Sequence, residues 1–176
     1  IVCMQEYAGS ETAKIHLSNK EFRQALKDYP YHNIKQVGKT GAGSQLACYS
    51  KFPILSARML DYRSNYNGSM VYEIKIGKDT VLLINNHLES NKLTREDKVV
   101  YEDMLKDPKA GKVKSGVRQL VNKLAEASAI RSAQARTIAQ EIAHSPYPSV
   151  IVCGDFNDSP ISYAHRVISQ DMDDAF

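Results

Sequence analysis

Tryptophan is absent from this chain of 176 residues, cysteine occurs only three times, and no run of apolar residues is long. Each absence removes a class of protein. No stretch approaches the roughly 18 apolar residues that a membrane-spanning helix needs. Cys3, Cys48 and Cys153 form no Cys-x-x-Cys pair, no cysteine–histidine group has zinc spacing, and His-Glu-x-x-His is missing. The three cysteines sit in or beside apolar runs and are expected to be buried free thiols, so the fold should not depend on disulfides. Linkers, repeats and low-complexity tracts are lacking, which at this length points to one domain rather than two. No signal-peptide pattern opens the sequence, but Ile1-Val2-Cys3-Met4 reads like the middle of a strand, so any targeting segment is expected to have preceded it.

What is present is ordinary for a soluble globular chain. The 43% hydrophobic and 24% charged fractions exclude disorder and a coiled coil. A net charge of +3 suits a phosphate-bearing substrate without demanding one. No strong nucleic-acid patch is visible, since a nucleic-acid footprint is a clustered basic stripe. With tryptophan absent, this argues weakly against a dedicated DNA binder.

Along the chain, Ile1–Gln5 is a short apolar run ending at Glu6. Ser18-Asn19-Lys20-Glu21 fits a capping box opening a helix, with Phe22, Ala25 and Leu26 on one face and Pro30 beyond its end. Strand signals follow over Leu46–Ser50, Pro53–Tyr62, Met70–Ile76 and Thr80–Asn86. The turn signals between them are Asn-Gly within Asn65–Ser69 and Gly77-Lys78-Asp79. Val71, Glu73 and Lys75 should face opposite to Tyr72, Ile74 and Ile76. Val81–Ile84 is apolar on both faces, so the last strand of this antiparallel meander should be buried on both sides. Residues 91–114 carry both charge signs without a clean period and read as an excursion or lid with some helix. A helical stripe then runs from Ser115 to about His144 through Val117, Leu120, Val121, Leu124, Ala127, Ile138 and Ile142, with a bend expected near Ala127–Arg131. Arg131 falls on that stripe and is either turned outward by a break or buried against a carboxylate. Ser149–Cys153 reads as a buried strand, Asp155–Ser159 as a loop and Ser162–Ser169 as a short helix. Hairpin-linked strands covered by helices make an α+β layered domain.

Polar groups interrupt the ends of three apolar strands: Glu6, His87, and Asp155 with Asn157. Delivering ionisable groups where buried strands emerge assembles a site from distant sequence. Glu6 suits a hard cation such as Mg²⁺, with Mn²⁺ as the variant. Asp155 suits orientation of an attacking water or acceptance of its proton, and Asn157 offers both a donor and an acceptor. His87 suits a phosphoryl oxygen. The bland readings are a solvated strand-end charge for Glu6, a hydrogen-bonded rim histidine for His87 and a plain Asx turn for Asp155 and Asn157. Glu89 follows His87 closely enough to reach the same place, whereas Asp158 is expected to cap or turn its loop. Gly38–Ser44 mimics a phosphate loop, but lacks the earlier glycine and a following helix, so it reads as a loop. The Asn67-Gly68-Ser69 sequon is better explained as a hairpin turn.

Gln5-Glu6, Asn85-Asn86-His87-Leu88 and Gly154-Asp155-Phe156-Asn157-Asp158-Ser159-Pro160, in that order, resemble three motifs of the endonuclease/exonuclease/phosphatase superfamily. Ser50–Ile54 and the closing Asp174-Ala175-Phe176 are similar to its patterns as well. The resemblance implies a deoxyribonuclease I-like four-layer α/β/β/α sandwich, truncated at both ends. It implies a Mg²⁺-dependent phosphoester hydrolase in which Glu6 is the metal residue and His87, Asp155 and Asn157 are catalytic. Members begin with a strand carrying a metal-site Asn and end with a strand carrying an Asp and a His, and neither matches residues here. His144 and His165 stand in the wrong order to supply that His. The chain is therefore expected to be an internal part of such a domain, impaired as a catalyst by itself. The alternative is a non-catalytic binding or scaffolding module with a residual site. The phosphoester class is left open, as is location, because some bacterial members carry membrane helices ahead of this domain. Exposed sheet edges are expected to favour self-association.

Overall fold

The computed structural model describes residues 1–7, 17–37, 45–62, 64, 67–106 and 111–175. The Gly38–Ser44 loop, Asn65 and Tyr66 of the expected turn, residues 107–110 of the expected lid, and Phe176 lie outside them.

Two sheets form. The first has strand order β1 (Val2–Tyr7), β3 (Gln45–Ser50), β2 (Tyr31–Gln36), all antiparallel. The second has order β4 (Ile54–Met59), β5 (Gly68–Ile76), β6 (Asp79–His87), β7 (Ser149–Asp155), with β7 parallel to β6 and the other pairs antiparallel. The period-2 alternation of the strands explains the layering. Leu46, Cys48, Met70, Tyr72, Ile74 and Leu83 meet between the sheets. On the far side of the second sheet, Val71, Leu82 and Ile84 pack against Ala135, Ile138, Ala164 and Ile168 of the helices. On the far side of the first, Tyr7, Ala47 and Tyr49 pack against Phe22 and Leu26. The result is the four-layer α/β/β/α sandwich.

The helices are α1 (Asn19–Ala25), α2 (Arg95–Lys106), α3 (Gly111–Ala143) and α4 (Tyr163–Ile168). Ser18 caps α1 as expected: its hydroxyl accepts from the Glu21 N–H, while the Glu21 carboxylate accepts from the Ser18 N–H at 2.8 Å. In α3 the helix is continuous through Ala127–Arg131. Its length is about 50 Å at 1.5 Å per residue. The buried stripe differs from the expected one. Val121 is 54% and Leu124 36% exposed, while Leu120, Ala127, Arg131, Gln134, Ala135 and Ile138 are buried. Arg131, through which the expected stripe also ran, is buried against the Asp158 carboxylate, and Gln134 joins it in the core. No described helix is long and apolar enough to cross a membrane.

One strand was not expected, and two further expectations are corrected. β2 carried no readable signal because only Asn33 along it is even partly covered, so neither alternation nor an apolar run marks it. Asn67-Gly68 is no hairpin turn. Gly68 is extended and opens β5, where a Cβ would lie 2.8 Å from the Val37 Cβ, and Asn67 is buried with its amide bonded to the Leu88 carbonyl. The glycine answers a close approach rather than a turn. Finally, β7 is half-exposed rather than buried, because among the described residues it pairs only with β6.

Candidate functional site

The parallel pairing of β6 and β7 sets His87 directly beside Asp155, and β1 brings Glu6 to the same end of the sandwich. The first link is local. β1 is irregular between Met4 and Tyr7, and Glu6 has φ 51° within that irregularity. An extra residue re-aims a side chain at a strand end. Tyr7 thereby returns to the α1 face, bonding the Tyr49 hydroxyl at 3.2 Å, while the Glu6 side chain is left 77% exposed. Its Oε1 lies 3.9 Å from His87 Nε2. Asp155 Oδ2 lies 4.0 Å from the same nitrogen, so two carboxylates converge on one ring atom, both beyond direct hydrogen-bond range. His87 itself is 6% exposed, and its Nδ1 has no hydrogen-bond partner among the described residues.

Gly154 is what allows β7 to hand over Asp155. Its φ is +136°, and a Cβ there would sit 2.0 Å from the Asn86 carbonyl oxygen. No other residue fits. Asp155 Oδ1 then accepts the Asn157 N–H at 2.8 Å, an Asx turn that leaves Oδ2 facing His87. Asn157, at φ 51°, donates Nδ2 to the Leu88 carbonyl at 2.9 Å, and Leu88 N–H donates to the Asp155 carbonyl at 2.9 Å. The turn and the functional reading are therefore compatible: the turn is what fixes both side chains against the end of β6. Glu6, His87 and Asp155 are brought together, and Asn157 is anchored beside them.

Glu89 does not join. Its carboxylate is 1% exposed and is bonded by Ser64 Oγ at 2.7 Å and by the Lys92 ammonium. Asp158 Oδ1 accepts the Ser159 N–H at 3.0 Å, as expected of a loop-turning residue, but its Oδ2 also accepts from Arg131 Nε at 3.0 Å. His144 closes α3 against the Gln140 carbonyl, and His165 on α4 pairs with Asp174 at 3.3 Å.

Buried amides that sequence reading quoted but gave no role build the floor of this region. Asn85, fully buried, accepts from Gln5 Nε2 at 2.6 Å and donates to the Met4 and Ala47 carbonyls, joining the two sheets. Asn86 donates to the Cys153 carbonyl at 3.1 Å and accepts from Ser69 Oγ at 2.5 Å, which in turn meets the Tyr62 hydroxyl at 2.6 Å. Burial pushes the Tyr62 phenol well above its usual range, so it stays neutral in this chain. Two consecutive asparagines at the end of an otherwise apolar strand were the available signal, since buried amides need partners.

Among the described residues no group of three or more His, Cys, Asp or Glu side chains is arranged to hold a metal ion. The donor available for a cation is the exposed Glu6 carboxylate. That donor fits Mg²⁺, which binds through one or two carboxylates and keeps waters or substrate oxygens for the rest.

No curated protein matches the sequence. Among solved structures, sphingomyelinase C from Streptomyces griseocarneus is 17% identical with a TM-score of 0.55, covering 88% of this chain and 53% of that one. A mutant beta toxin from Staphylococcus aureus with bound magnesium ions is 17% identical with a TM-score of 0.56, covering 86% and 51%. A humanized TDP2 from D. rerio is 14% identical with a TM-score of 0.52, covering 96% and 51%. The likeness is one of fold, deoxyribonuclease I-like, and the chain spans about half the length of these structures. The sequence pattern of one family runs over residues 1–175, and the chain belongs to it: the Endonuclease/Exonuclease/phosphatase family.

Proposed function

We propose that the protein containing this chain is a Mg²⁺-dependent phosphoester hydrolase, with Mn²⁺ as a substitute, that attacks phosphorus with an activated water. The observation that carries this reading is the convergence of the Glu6 and Asp155 carboxylates on His87 Nε2 at 3.9 and 4.0 Å. Family membership supports it, because the family is one of phosphoesterases. Glu6 holds the cation, which when bound supplies Lewis-acid stabilisation of charge on phosphoryl oxygen. Asp155 orients the attacking water through Oδ2, the oxygen that the Asx turn leaves unused, and accepts its proton. Asn157 keeps one amide hydrogen on the Leu88 carbonyl and offers the other to the phosphate. His87 Nε2 meets a phosphoryl oxygen.

The test is a phosphoester panel assayed on the full-length protein with Mg²⁺, Mn²⁺ or chelator. Turnover of at least one phosphoester should vanish on chelation, and Asp155→Asn should lower it by at least about a hundredfold. An inert full-length protein across the panel would refute the reading.

We infer that residues 1–176 alone turn over poorly, a reading supported by the half-length span relative to the solved structures. A second reading, a binding module that keeps a residual site, draws on the lack of a three-ligand group among the described residues. Metal-independent binding of a phosphoester without turnover by the full-length protein would favour it.

A further inference from the structure

Arg131 lies at the middle of α3, on the face that packs over the second sheet, and is 4% exposed. An arginine so buried needs acceptors for its donors. Three are present, and they come from two different loops. Nε donates to Asp158 Oδ2 at 3.0 Å, in the loop that follows β7. One terminal nitrogen donates to the Glu89 carbonyl at 2.9 Å and to Asn91 Oδ1 at 2.8 Å, both in the segment that follows β6. Gln134, three residues further along the same helix face, accepts the Glu89 N–H through Oε1 at 3.0 Å. Both backbone polar groups of Glu89 are thus held by side chains of α3. Beneath them the Glu89 carboxylate is itself fixed by Ser64 and Lys92.

The two loops tied by this guanidinium are the ones that carry the candidate site. Asp158 follows Asn157 directly, and Glu89 stands two residues after His87. The strand ends already share the Leu88–Asp155 and Asn157–Leu88 hydrogen bonds. Arg131 adds a second tie outside them, through a planar fork that cannot lengthen or rotate as a lysine would. No described hydrogen bond links Arg131 to His87, Asp155 or Asn157.

We propose that Arg131 is a positioning residue: its contacts to Asp158, Glu89 and Asn91 hold the loop after β7 in register with the loop after β6, and so fix Asp155 and Asn157 against His87. This rests on the reading of Asp155, Asn157 and His87 as the reacting groups. A structural arginine would stabilise the whole sandwich. A positioning arginine orders two loops and leaves the sheet core alone.

The experiment uses the full-length protein, with Asp158→Asn, Arg131→Lys and Arg131→Met. Asp158→Asn acts at the partly exposed end of the ion pair, so it keeps the test alive if Arg131→Met fails to fold. Amide hydrogen exchange is read at residues 88–91 and 156–159, against Val71–Ile74 and Leu82–Ile84 as the core. In Asp158→Asn and Arg131→Lys, loop exchange should quicken by about tenfold while the core amides hold. With bis(p-nitrophenyl) phosphate and Mg²⁺, kcat should fall between about ten- and a hundredfold with KM within about twofold, the signature of lost orientation rather than lost binding. Unchanged loop exchange in both variants overturns the proposal, as does exchange that quickens equally in the core. If the parent protein turns over no phosphoester, the functional reading fails, while the exchange measurement still decides whether Arg131 orders the two loops.

Discussion

Single residues in this chain are placed by steric and chemical necessity rather than by preference. Gly154→Ala forces a side chain into backbone that only glycine adopts, with its Cβ 2.0 Å from the Asn86 oxygen. We expect a loss of about 3 kcal/mol or more and a drop in Tm on the order of 10 °C, read by thermal unfolding. A variant melting within about 2 °C of its parent would contradict this. The thiols give a second test. Cys3 is the register partner of Cys48, and both pack with Cys153 at the seam between the sheets. A hydrogen bond with Cys153 draws the Cys3 thiol down, but the bond with Cys48, burial and the Cys48 charge outweigh it and push Cys3 up to about 12. Alkylation needs the thiolate, which a raised value removes at pH 8. Cys3 should therefore react at least about tenfold more slowly than an unperturbed thiol at that pH, measured by peptide mapping after timed iodoacetamide labelling. Labelling at the rate of a free thiol would show the seam to be open.

At the level of elements, α3 shows where periodicity succeeds and where it fails. Ala127, Arg131 and Ile138 fall on the buried face as the pattern required, but Val121 and Leu124 do not, and Gln134 takes a core position that the pattern did not mark. Hydrophobic spacing finds apolar residues; it cannot see a helix face that is buried over loops whose backbone needs hydrogen-bond partners. The contrast is measurable. Ile138→Ala should cost about 2–5 kcal/mol in urea unfolding, whereas Val121→Ala should stay within about 0.5 kcal/mol. Similar losses from the two would mean the helix is rotated from the orientation described. β2 failed to show in the sequence for a related reason, since an edge strand with little burial has no face to alternate.

For the whole molecule, β1, β2, β4 and β7 each pair on one side only among the described residues. Ile1, Ile34, Leu55 and Ile151, on or beside these strands, are exposed. Unpaired edges with apolar side chains favour edge-to-edge pairing. Residues 1–176 alone should therefore show rising average mass with concentration in sedimentation velocity, and a monomer at every concentration would overturn this. The sequence by itself determined the meander β4–β5–β6, the capping box of α1 and the family, and it marked Glu6, His87, Asp155 and Asn157 as candidates, because strand alternation, cap chemistry and ordered motifs are properties of neighbouring residues. Only the tertiary structure decided that Glu6 reaches His87 through a bulged strand end, that Glu89 turns away into a buried pair, and that Asn67-Gly68 is packed rather than turned. It alone decided that Arg131 is held by Asp158, Glu89 and Asn91. Each of these depends on partners far apart in the chain, and a buried charge or amide declares its role only when the group that satisfies it is in place.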